Sequence, residues 1–503
     1  MADPSLDATI PGYTGPRRSL ILAGGGMRVA YQAGVIRALA ELGIKFAHGD
    51  GTSGGTMNLA MLLSGLSPNE MCDRWRTLNV LHFGAPMPIE QYLHAWDMTG
   101  MTSNSGIRKD VFPHLGIDVT AINRSSGMSG TFNVCNFSHK TAEVISKSQL
   151  TLDLLVAGIS LPILMPAVLV NGDWYTDAVW IKDANLMGAV NMGSEELWLV
   201  WCIGNTHEYL PGAFNQYVHM IEMSGNGRVF EEFKQIEELN QRIAASKRPS
   251  SLTEPVKVHV IKPRYPVPLD PDFFLGKITA ATLIDMGYSD AYRYIETEMK
   301  PEGVPLTWNA TQMKVPGVGI TFSRTMKGAF ALEAPIGEGR TREINSAIPL
   351  TLSLTFRILN LDAFLAGDTT VAEINGDLTH PTLGGFTPLI QAIVQPKDKD
   401  AGPEGFNLEC RFHYNGSQYR LLGNIRRAAR VGAIPVTFSQ MPFRIEKINA
   451  GTGETLGAGV LRHSGGGLFE TVRTCHVTNA LPFWPRLRAY CTFGWLYLRN
   501  LWP

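Results

Sequence analysis

The sequence predicts an α/β fold with a mainly parallel sheet, followed by a second domain rich in β-strands. From Ser19 to about Tyr294, short apolar segments typical of strands alternate with longer helical segments. Beyond Pro301 this pattern gives way to strict alternation of apolar and polar residues. We predict an extended N-terminus at 1–18, an α/β domain at 19–300, a linker at 301–320 and a β-rich domain at 321–503.

Composition and charge narrow the class of protein. A chain of 503 residues is too long for one ordinary core, and its net charge of −1 does not favour nucleic-acid binding, although local charged patches are not excluded. The six cysteines form no C-x-x-C pair and no cluster at zinc spacing, so we predict reduced thiols and no metal site. Residues 1–18 contain no apolar run, and nowhere do about 18 apolar residues follow one another, so we expect a cytoplasmic protein without a secretory signal or a spanning helix.

The first segment of functional interest is a glycine turn between a strand and a helix. Ser19–Leu22 is apolar and typical of a strand, and Arg28–Leu42 places its apolar residues at helical spacing, with Gly43 at the expected helix end. Between them, the backbone N–H groups of Gly24-Gly25-Gly26 could bind an anion, and the Arg28 guanidinium could steady the loop or contact a phosphate. A plain tight turn is the alternative interpretation.

The second segment, Gly51-Thr52-Ser53-Gly54-Gly55, follows the pattern G-x-S-x-G ahead of an apolar helix at Thr56–Leu63. A serine hydroxyl is a poor nucleophile at neutral pH and needs a fixed position and a neighbouring base. The flanking glycines allow a strained backbone, and the free N–H groups at the helix start favour negative charge developing on a substrate. Ser53 is therefore our candidate nucleophile, although the string alone often occurs by chance.

The base is the third part of the predicted site. Histidine is the usual base, but none of the 12 histidines is a convincing candidate, and His48 is better explained as packed or facing solvent. Asp177 is the sharper candidate, because a carboxylate held against a serine and shielded from water can accept its proton directly. An isolated Asp in a turn is more often a backbone cap, so this assignment depends on the segments around it.

Two alternative enzyme classes fit the same residues poorly. In the dinucleotide-binding pattern G-x-G-x-x-G, Val29 would occupy the third glycine position, and no ribose-binding acid follows at a strand end about 20 residues on. A conventional α/β-hydrolase with a catalytic histidine is disfavoured because Ser53 comes after too few strands. We therefore predict no cofactor.

Four motifs together resemble those of the patatin-like phospholipases, from about Ser19 to Arg293: GGGMRV, GTSGG, AGISLPILMPAV, and DAV followed by IKDANL. The resemblance implies a three-layer α/β sandwich and a catalytic dyad of Ser53 and Asp177. It also implies hydrolysis of acyl esters in lipids through an acyl-enzyme, without histidine, metal or cofactor. The oxyanion hole that we predict consists of backbone N–H groups of Gly24, Gly25, Gly26 and Gly54.

The chain departs from the family pattern at two places. Val29 stands where a glycine usually follows the arginine, and its β-branched side chain disfavours a positive φ and could narrow the oxyanion turn. Ala178 and Val179 replace small glycines after the acid and could displace Asp177 by fractions of an ångström. Neither change removes a reacting group, so we expect activity with an altered rate or substrate range.

The β-rich domain carries no catalytic constellation that we can identify, which favours a structural or interaction role. Apolar alternation at 350–358 recurs at 406–414, and Asn415-Gly416 then gives a strong hairpin signal. The domain is similar to the β-rich extension of some bacterial glucose-methanol-choline family oxidoreductases, and that similarity implies apolar, lipid-like ligands. The similar segments are Thr325–Phe330, Leu361–Leu365 and Gly384-Gly385.

The C-terminal tail, Pro485–Pro503, interleaves aromatic residues with arginines. Trp495, Trp502 and Arg499 are examples of a mixture suited to a membrane interface. The alternative is an edge strand or a tail that packs on its own domain.

These observations predict a lipid acyl hydrolase of the phospholipase A or esterase type that acts on a lipid or phospholipid and contacts a membrane surface. The alternative function is a lipid-binding or scaffold protein whose catalytic site is disabled by Val29 and Ala178. The two functions differ in whether fatty acid is released.

Overall fold

The structure, a computed structural model, describes most of the chain, and for 332, 395–396, 405–406, 425–426, 454, 483 and 495–501 it describes the backbone alone. The described residues are 6–9, 13–84, 87, 98–245, 254–268, 274–332, 348–366, 368, 371–383, 385–396, 405–426, 440–448, 454–462, 472–479 and 483–501. The chain divides into two compact units, Met1–Val315 and Pro316–Pro503.

The first unit is built on an eight-stranded sheet. Its strands are β1 (Arg18–Leu22), β2 (His48–Thr52), β3 (Ser129–Asn136), β4 (Thr141–Ser146), β5 (Val168–Val170), β6 (Asp173–Asp177), β7 (Glu196–Val200) and β8 (Lys257–Ile261). They lie in the order β5-β6-β3-β2-β1-β7-β8, with β4 also paired to β3. The neighbouring strands β3, β2, β1, β7 and β8 are parallel to one another. Strands β4 and β6 pair antiparallel with β3, and β5 pairs antiparallel with β6. The predicted mainly parallel sheet is confirmed.

Helices connect these strands. They are α1 (Ala30–Glu41), α2 (Gly54–Leu63), α3 (Pro68–Thr77), α4 (Phe112–Leu115), α5 (Val119–Arg124), α6 (Leu152–Ala157), α7 (Leu186–Asn191), α8 (Ala213–Ala244) and α9 (Ala280–Arg293). The polar amphipathic pattern of 227–246 predicts a long helix there. In the structure this helix, α8, begins earlier, at Ala213, although Ser224-Gly225-Asn226-Gly227 looks like a break in the sequence. The reason is tertiary packing, since Gly225 lies close to Trp201 of the sheet and Asn226 bonds the Gly204 carbonyl at 3.1 Å.

Helices cover both faces of the sheet. On one face, Ile21, Leu197 and Val258 form a buried core with Val229 and Phe233 of α8. Trp198 follows Leu197 on β7 and His259 follows Val258 on β8, so these two side chains point to the other face of the sheet. Their side chains pack on Tyr294 just after α9, and a 2.9 Å hydrogen bond joins the Tyr294 hydroxyl to His259 Nδ1. The three-layer α/β arrangement is therefore confirmed.

The second unit is an antiparallel β structure. Its strands are β9 (Gly319–Leu332), β10 (Ile348–Ile358), β11 (Ala372–His380), β12 (Gly385–Pro396), β13 (Gly405–Tyr414), β14 (Ser417–Arg426), β15 (Gln440–Lys447), β16 (Glu454–Arg462) and β17 (His476–Thr478). Successive strands from β9 to β16 pair with one another, and pairing of β16 with β9 closes a barrel to which β17 is added. The two predicted strands and the hairpin at Asn415-Gly416 are present, with φ of +47° and +73° at those residues. Gly384, part of a motif used above, lies outside the described residues.

Among the described residues of this unit, the longer helices are α10 (Leu361–Leu365) and α11 (Phe483–Leu501). The tail predicted as an interfacial segment or an edge strand is thus helical along its described part. Ala489 packs against Ile320 and Ile358, so one side of α11 joins the core of its own unit. Trp495 has no described side chain and Trp502 lies outside the described residues, so their membrane role stays a prediction. No helix within the described ranges is long and apolar enough to span a bilayer.

Candidate active site

Ser53 occupies the turn between β2 and α2. Its backbone angles, φ 51° and ψ −131°, lie in a region that non-glycine residues rarely adopt, which costs of the order of 1–3 kcal/mol. Such a strained strand-to-helix turn is the geometry that presents a nucleophilic serine at the end of a sheet. The side chain is only 6% exposed, so its hydroxyl is both fixed and shielded from bulk water.

Ser53 Oγ donates a 2.6 Å hydrogen bond to Asp177 Oδ2. Strand register explains how residues 124 positions apart meet. Thr52 pairs with Asn133, and the next residue of β3, Val134, pairs with Asp177 at the end of β6. The antiparallel strand therefore delivers the carboxylate to the sheet edge where the serine turn begins.

The surroundings of Asp177 fix its orientation and its acidity. Its Oδ1 accepts from the Val179 N–H at 2.9 Å, and its own N–H donates to the Ser160 carbonyl at 3.0 Å. The side chain is 1% exposed. Burial raises the pKa of Asp177 to about 7, and the hydrogen bonds from Ser53 and Val179 oppose that rise. The carboxyl group therefore exchanges its proton near neutral pH, which suits a general base.

The glycine turn lies between β1 and α1 and is braced from below by Arg28. The buried Arg28 side chain donates through Nε to the Gly25 carbonyl at 2.9 Å. In a trans peptide the N–H points opposite to the carbonyl of the same unit, so this bond directs the Gly26 N–H away from Arg28. Arg28 is thus bonded to the backbone of the turn, and its role in steadying the loop stays a prediction.

The glycine turn and the serine turn touch each other. A Cβ added to Gly54 would lie 2.5 Å from the Gly26 carbonyl oxygen and 2.7 Å from a methyl group of Val29, so only glycine fits there. Among the described residues, the N–H groups of Gly25, Gly26 and Gly54 donate no hydrogen bond. Unpaired donors at two adjoining turns, one of them the start of α2, form a backbone surface suited to an anion.

The two departures from the family pattern do not distort the site. The concern that Val29 would need a positive φ is wrong: its φ is −66° and its ψ −8°, ordinary helical values, and its side chain is buried beside Gly54. Ala178 is buried in the turn after the acid, where its carbonyl accepts from Ile181 and Lys182, and Asp177 still reaches Ser53. The β-branched residue fits because the left-handed φ of the glycine turn, +58°, falls on Gly26.

A second buried carboxyl group, Asp183, lies beside the dyad. Its Oδ1 would be 2.2 Å from a Cβ on Gly24, and neither carboxylate oxygen has a hydrogen-bond partner within the described part of the chain. Burial and the charge of Asp177 raise its pKa well above the usual range. The nearby Gly24 N–H lies outside hydrogen-bond geometry. It and the Arg28 charge oppose the rise in pKa only partly. Burial and the neighbouring carboxylate thus favour the protonated form of Asp183.

Buried polar side chains support the two turns from behind. Gln32 of α1 donates to the Ala23 carbonyl at 2.6 Å, and Asn58 of α2 donates to the Val29 carbonyl at 2.8 Å and to Gln32. Trp75 completes the chain by donating to Asn58 at 2.8 Å. The sequence reasoning missed this network and Asp183. Asn58 within an otherwise apolar helix was the signal that could have identified it, since a buried polar residue needs partners.

The structure gives His48 a different role from catalysis. The buried ring bonds Ser19 Oγ through Nδ1 and Thr131 Oγ1 through Nε2, both at 2.9 Å. Burial lowers the pKa of His48 to about 4, so the ring is neutral at physiological pH. Both ring nitrogens are hydrogen-bonded to neighbouring side chains, which fits a packing role. A catalytic base would need a free nitrogen to accept a proton. Across the described residues, no group of three or more potential ligands is arranged to hold a metal ion.

Part of the chain is similar to a known protein family. Residues 20–190 match the family model of the patatin-like phospholipases, a range that contains both Ser53 and Asp177. The match ends well short of the predicted limit at Arg293, although β7, α8 and β8 complete the same sheet and core. Among solved structures, VipD from Legionella pneumophila is similar over 56% of this chain and 67% of its own, with 13% identity and a TM-score of 0.29. No curated protein matches the chain, so its likeness to this family depends on the family model over residues 20–190.

Proposed function

We propose that the patatin-like phospholipase domain at residues 20–190 makes this chain a lipid acyl hydrolase of the phospholipase A or esterase type. The observation that carries the proposal is the 2.6 Å hydrogen bond from Ser53 Oγ to a buried carboxylate, Asp177, at a strained strand-to-helix turn. Nucleophile, base and unpaired backbone donors meet there, and these are the parts that acyl transfer requires.

The reaction proceeds in two halves. Ser53 Oγ attacks the ester carbonyl carbon while its proton passes to Asp177 Oδ2, and the carbonyl oxygen becomes an oxyanion. Collapse of this intermediate expels the alcohol, which takes the proton from Asp177 and leaves an acyl group on Ser53. Water then attacks the acyl-enzyme with Asp177 again accepting the proton, and fatty acid is released as the serine is reprotonated.

The oxyanion is held by backbone donors. We assign this role to the N–H groups of Gly25, Gly26 and Gly54, each of which contributes on the order of 3 kcal/mol to transition-state stabilisation. Gly24, also predicted as a donor, serves mainly as a spacer, because its N–H lies towards Asp183. The start of α2 adds its positive dipole end to the same place.

A lipid substrate is supported by apolar side chains on segments tied to the dyad. Ser160, which bonds the Asp177 backbone, opens a loop in which Ile163 is 63% exposed at a φ of +74°. Met101, itself 57% exposed, donates its N–H to the Ile163 carbonyl at 2.9 Å. Exposed apolar residues brought together in this way suit acyl chains and contact with a membrane surface.

The activity of this dyad should depend on pH through Asp177. Only the ionised carboxylate can accept the serine proton, so kcat/KM should rise with pH, reach half its plateau at about 7 and remain high above that. At pH 5 it should be about one hundredth of the plateau. The measurement is ester hydrolysis of a non-ionising substrate, with unfolding monitored across the same range. A flat profile between pH 5 and 8 would contradict the assignment of Asp177 as base.

Gly24→Ala should reduce kcat by about 100-fold, as expected for displacement of a catalytic group. The new Cβ would lie 2.2 Å from Asp183 Oδ1 and 2.9 Å from Ser53 Cβ, so one of them must move. Gly227→Ala is the matched control, because that glycine lies in α8 with open space around its Cβ position. The control should retain full activity and gain up to about 1 kcal/mol in free energy of unfolding. Equal activity of both variants would show that the absence of a side chain at Gly24 is not needed to keep Ser53 and Asp183 in place.

The function itself is tested with phosphatidylcholine vesicles. Wild-type protein should release free fatty acid and lysophospholipid, both measured by mass spectrometry. Binding to the vesicles without release of fatty acid would instead favour the alternative of a lipid-binding or scaffold protein. No observation at the site favours that alternative, since the Ser53–Asp177 bond is intact beside Val29 and Ala178.

A further inference from the structure

A cavity lies in the first unit, where the chain leaves the end of β8. Its volume is about 700 Å³, within the range of small-molecule sites. The lining combines residues after β8, residues around the end of α9 and a segment at 312–315. The side chains on which the argument depends are Lys262, Arg264, Arg293, Glu298 and Lys314.

Cations dominate this lining. Arg293 is paired within the cavity wall, to Asp290 at 2.8 Å and to Glu298 at 3.2 Å, so its charge is balanced. Arg264 and Lys314 are exposed, and neither has a carboxylate partner among the described residues. The chain as a whole has a net charge of −1, so this is a local concentration of positive charge and not a general excess.

The backbone holds the unbalanced cations side by side. The Lys314 N–H donates to the Arg264 carbonyl at 2.8 Å, and the Met313 N–H donates to the Asn205 carbonyl at 2.8 Å. Like charges fixed next to one another repel, and a bound anion removes that repulsion.

Lys262 forms the inner part of the same cluster. Its Nζ donates to the Gln312 carbonyl, which leaves further N–H donors on the ammonium group for a ligand. Burial lowers the pKa of Lys262, so an anion beside it would favour its charged form.

We propose that this cavity binds the phosphate group of a phosphorylated ligand. The planar guanidinium of Arg264 can form two parallel hydrogen bonds to phosphate oxygens, while Lys314 and Lys262 act as point charges. The parallel strands β2, β1, β7 and β8 end at one edge of the sheet, and three strand spacings put β8 about 14 Å from the strand that carries Ser53. The phosphate site is therefore separate from the dyad but lies on the same edge of the sheet.

The phosphate could be carried by a lipid headgroup or by a soluble compound. Inorganic pyrophosphate, measured by titration calorimetry, represents the soluble source. Phosphatidylcholine vesicles containing phosphatidic acid represent the lipid source, and flotation with the Ser53→Ala protein measures their binding without hydrolysis. Neither measurement needs ester turnover. A negative binding result would therefore be distinct from failure of the proposed hydrolase function.

The test variant is Arg264→Gln with Lys314→Gln. Both side chains are exposed, so folding should be preserved. The matched control, Lys234→Gln with Arg242→Gln, removes the same charge from exposed ion pairs on α8. This half of α8 lies at the opposite end of β8, since Asn240 bonds Val256 at 2.7 Å just before that strand begins.

Wild type and control should bind at least one of the two probes, and the test variant should bind it about tenfold or more weakly. Pyrophosphate binding alone would identify a soluble phosphate compound as the ligand. Vesicle binding that depends on phosphatidic acid would identify a lipid headgroup, and competition by pyrophosphate would place both in one site. Absence of saturable binding to either probe, or equal loss in the control, would overturn the proposal.

Discussion

Ser53→Ala is expected to reduce ester hydrolysis on the order of 10⁴-fold or more and to abolish labelling by a fluorophosphonate probe. The substitution removes the oxygen that attacks the carbonyl carbon, while the backbone donors of the two turns remain. The residual rate should come from those donors and from substrate binding. Initial rates on a phospholipid, together with gel detection of the labelled protein, measure both effects.

The control for this variant is another buried serine close to the site. Ser160 contacts Asp177 through its backbone carbonyl, and its hydroxyl donates to the Val156 carbonyl at 2.8 Å. Ser160→Ala should cost about 1 kcal/mol in free energy of unfolding and leave probe labelling unchanged. Labelling that survives in Ser53→Ala, or disappears in Ser160→Ala, would contradict the assignment of the nucleophile.

Asp177→Asn is expected to lower kcat by about 10⁴-fold while the fold is retained. The amide is similar in size but cannot accept the serine proton, and its N–H₂ group would face the hydroxyl in place of an acceptor oxygen. The variant should also lose the rise of kcat/KM around pH 7 that Asp177 gives to the wild type. Steady-state rates over pH, with circular dichroism to verify folding, provide the measurement.

Asp183→Asn is the matched control, because two carboxyl groups are buried in one site and only Asp177 bonds Ser53. Burial and the charge of Asp177 raise the pKa of Asp183 and favour its neutral form, so a neutral amide should preserve most of the activity. A comparable loss in both variants would mean that burial of a carboxyl group, and not proton transfer to Asp177, accounts for the effect. Full turnover in Asp177→Asn would require a different base.

The local parts of the site could be predicted from sequence because each is encoded within a few residues. The turn at Ser53 and the glycine run at Gly24 need particular backbone angles or close approaches, and glycine spacing reveals them. The apolar segments at 19–22, 131–137, 197–203 and 256–261 predict strands in the same way, and β1, β3, β7 and β8 lie there. Asp177 required the family resemblance, because its meeting with Ser53 depends on the pairing of β3 with β6.

Other features depend on contacts between distant segments and could not be predicted in this way. The early start of α8 at Ala213 depends on the packing of Gly225 against Trp201, and local preference alone suggests a break there. Asp183 is visible in the sequence as an acid near Asp177, but its burial against Gly24 is not. Sequence also raised a concern about Val29 that the observed φ removes.

The central claim is that Ser53 carries the acyl group during turnover. Protein mixed with a phospholipid of known acyl composition can be quenched in acid within the first turnovers and digested, and its peptides analysed by mass spectrometry. We predict that the mass of one acyl group is added to the peptide containing Ser53, and that this addition is missing in Ser53→Ala. An acyl group on another residue, or full hydrolysis by the Ser53→Ala protein, would contradict the account.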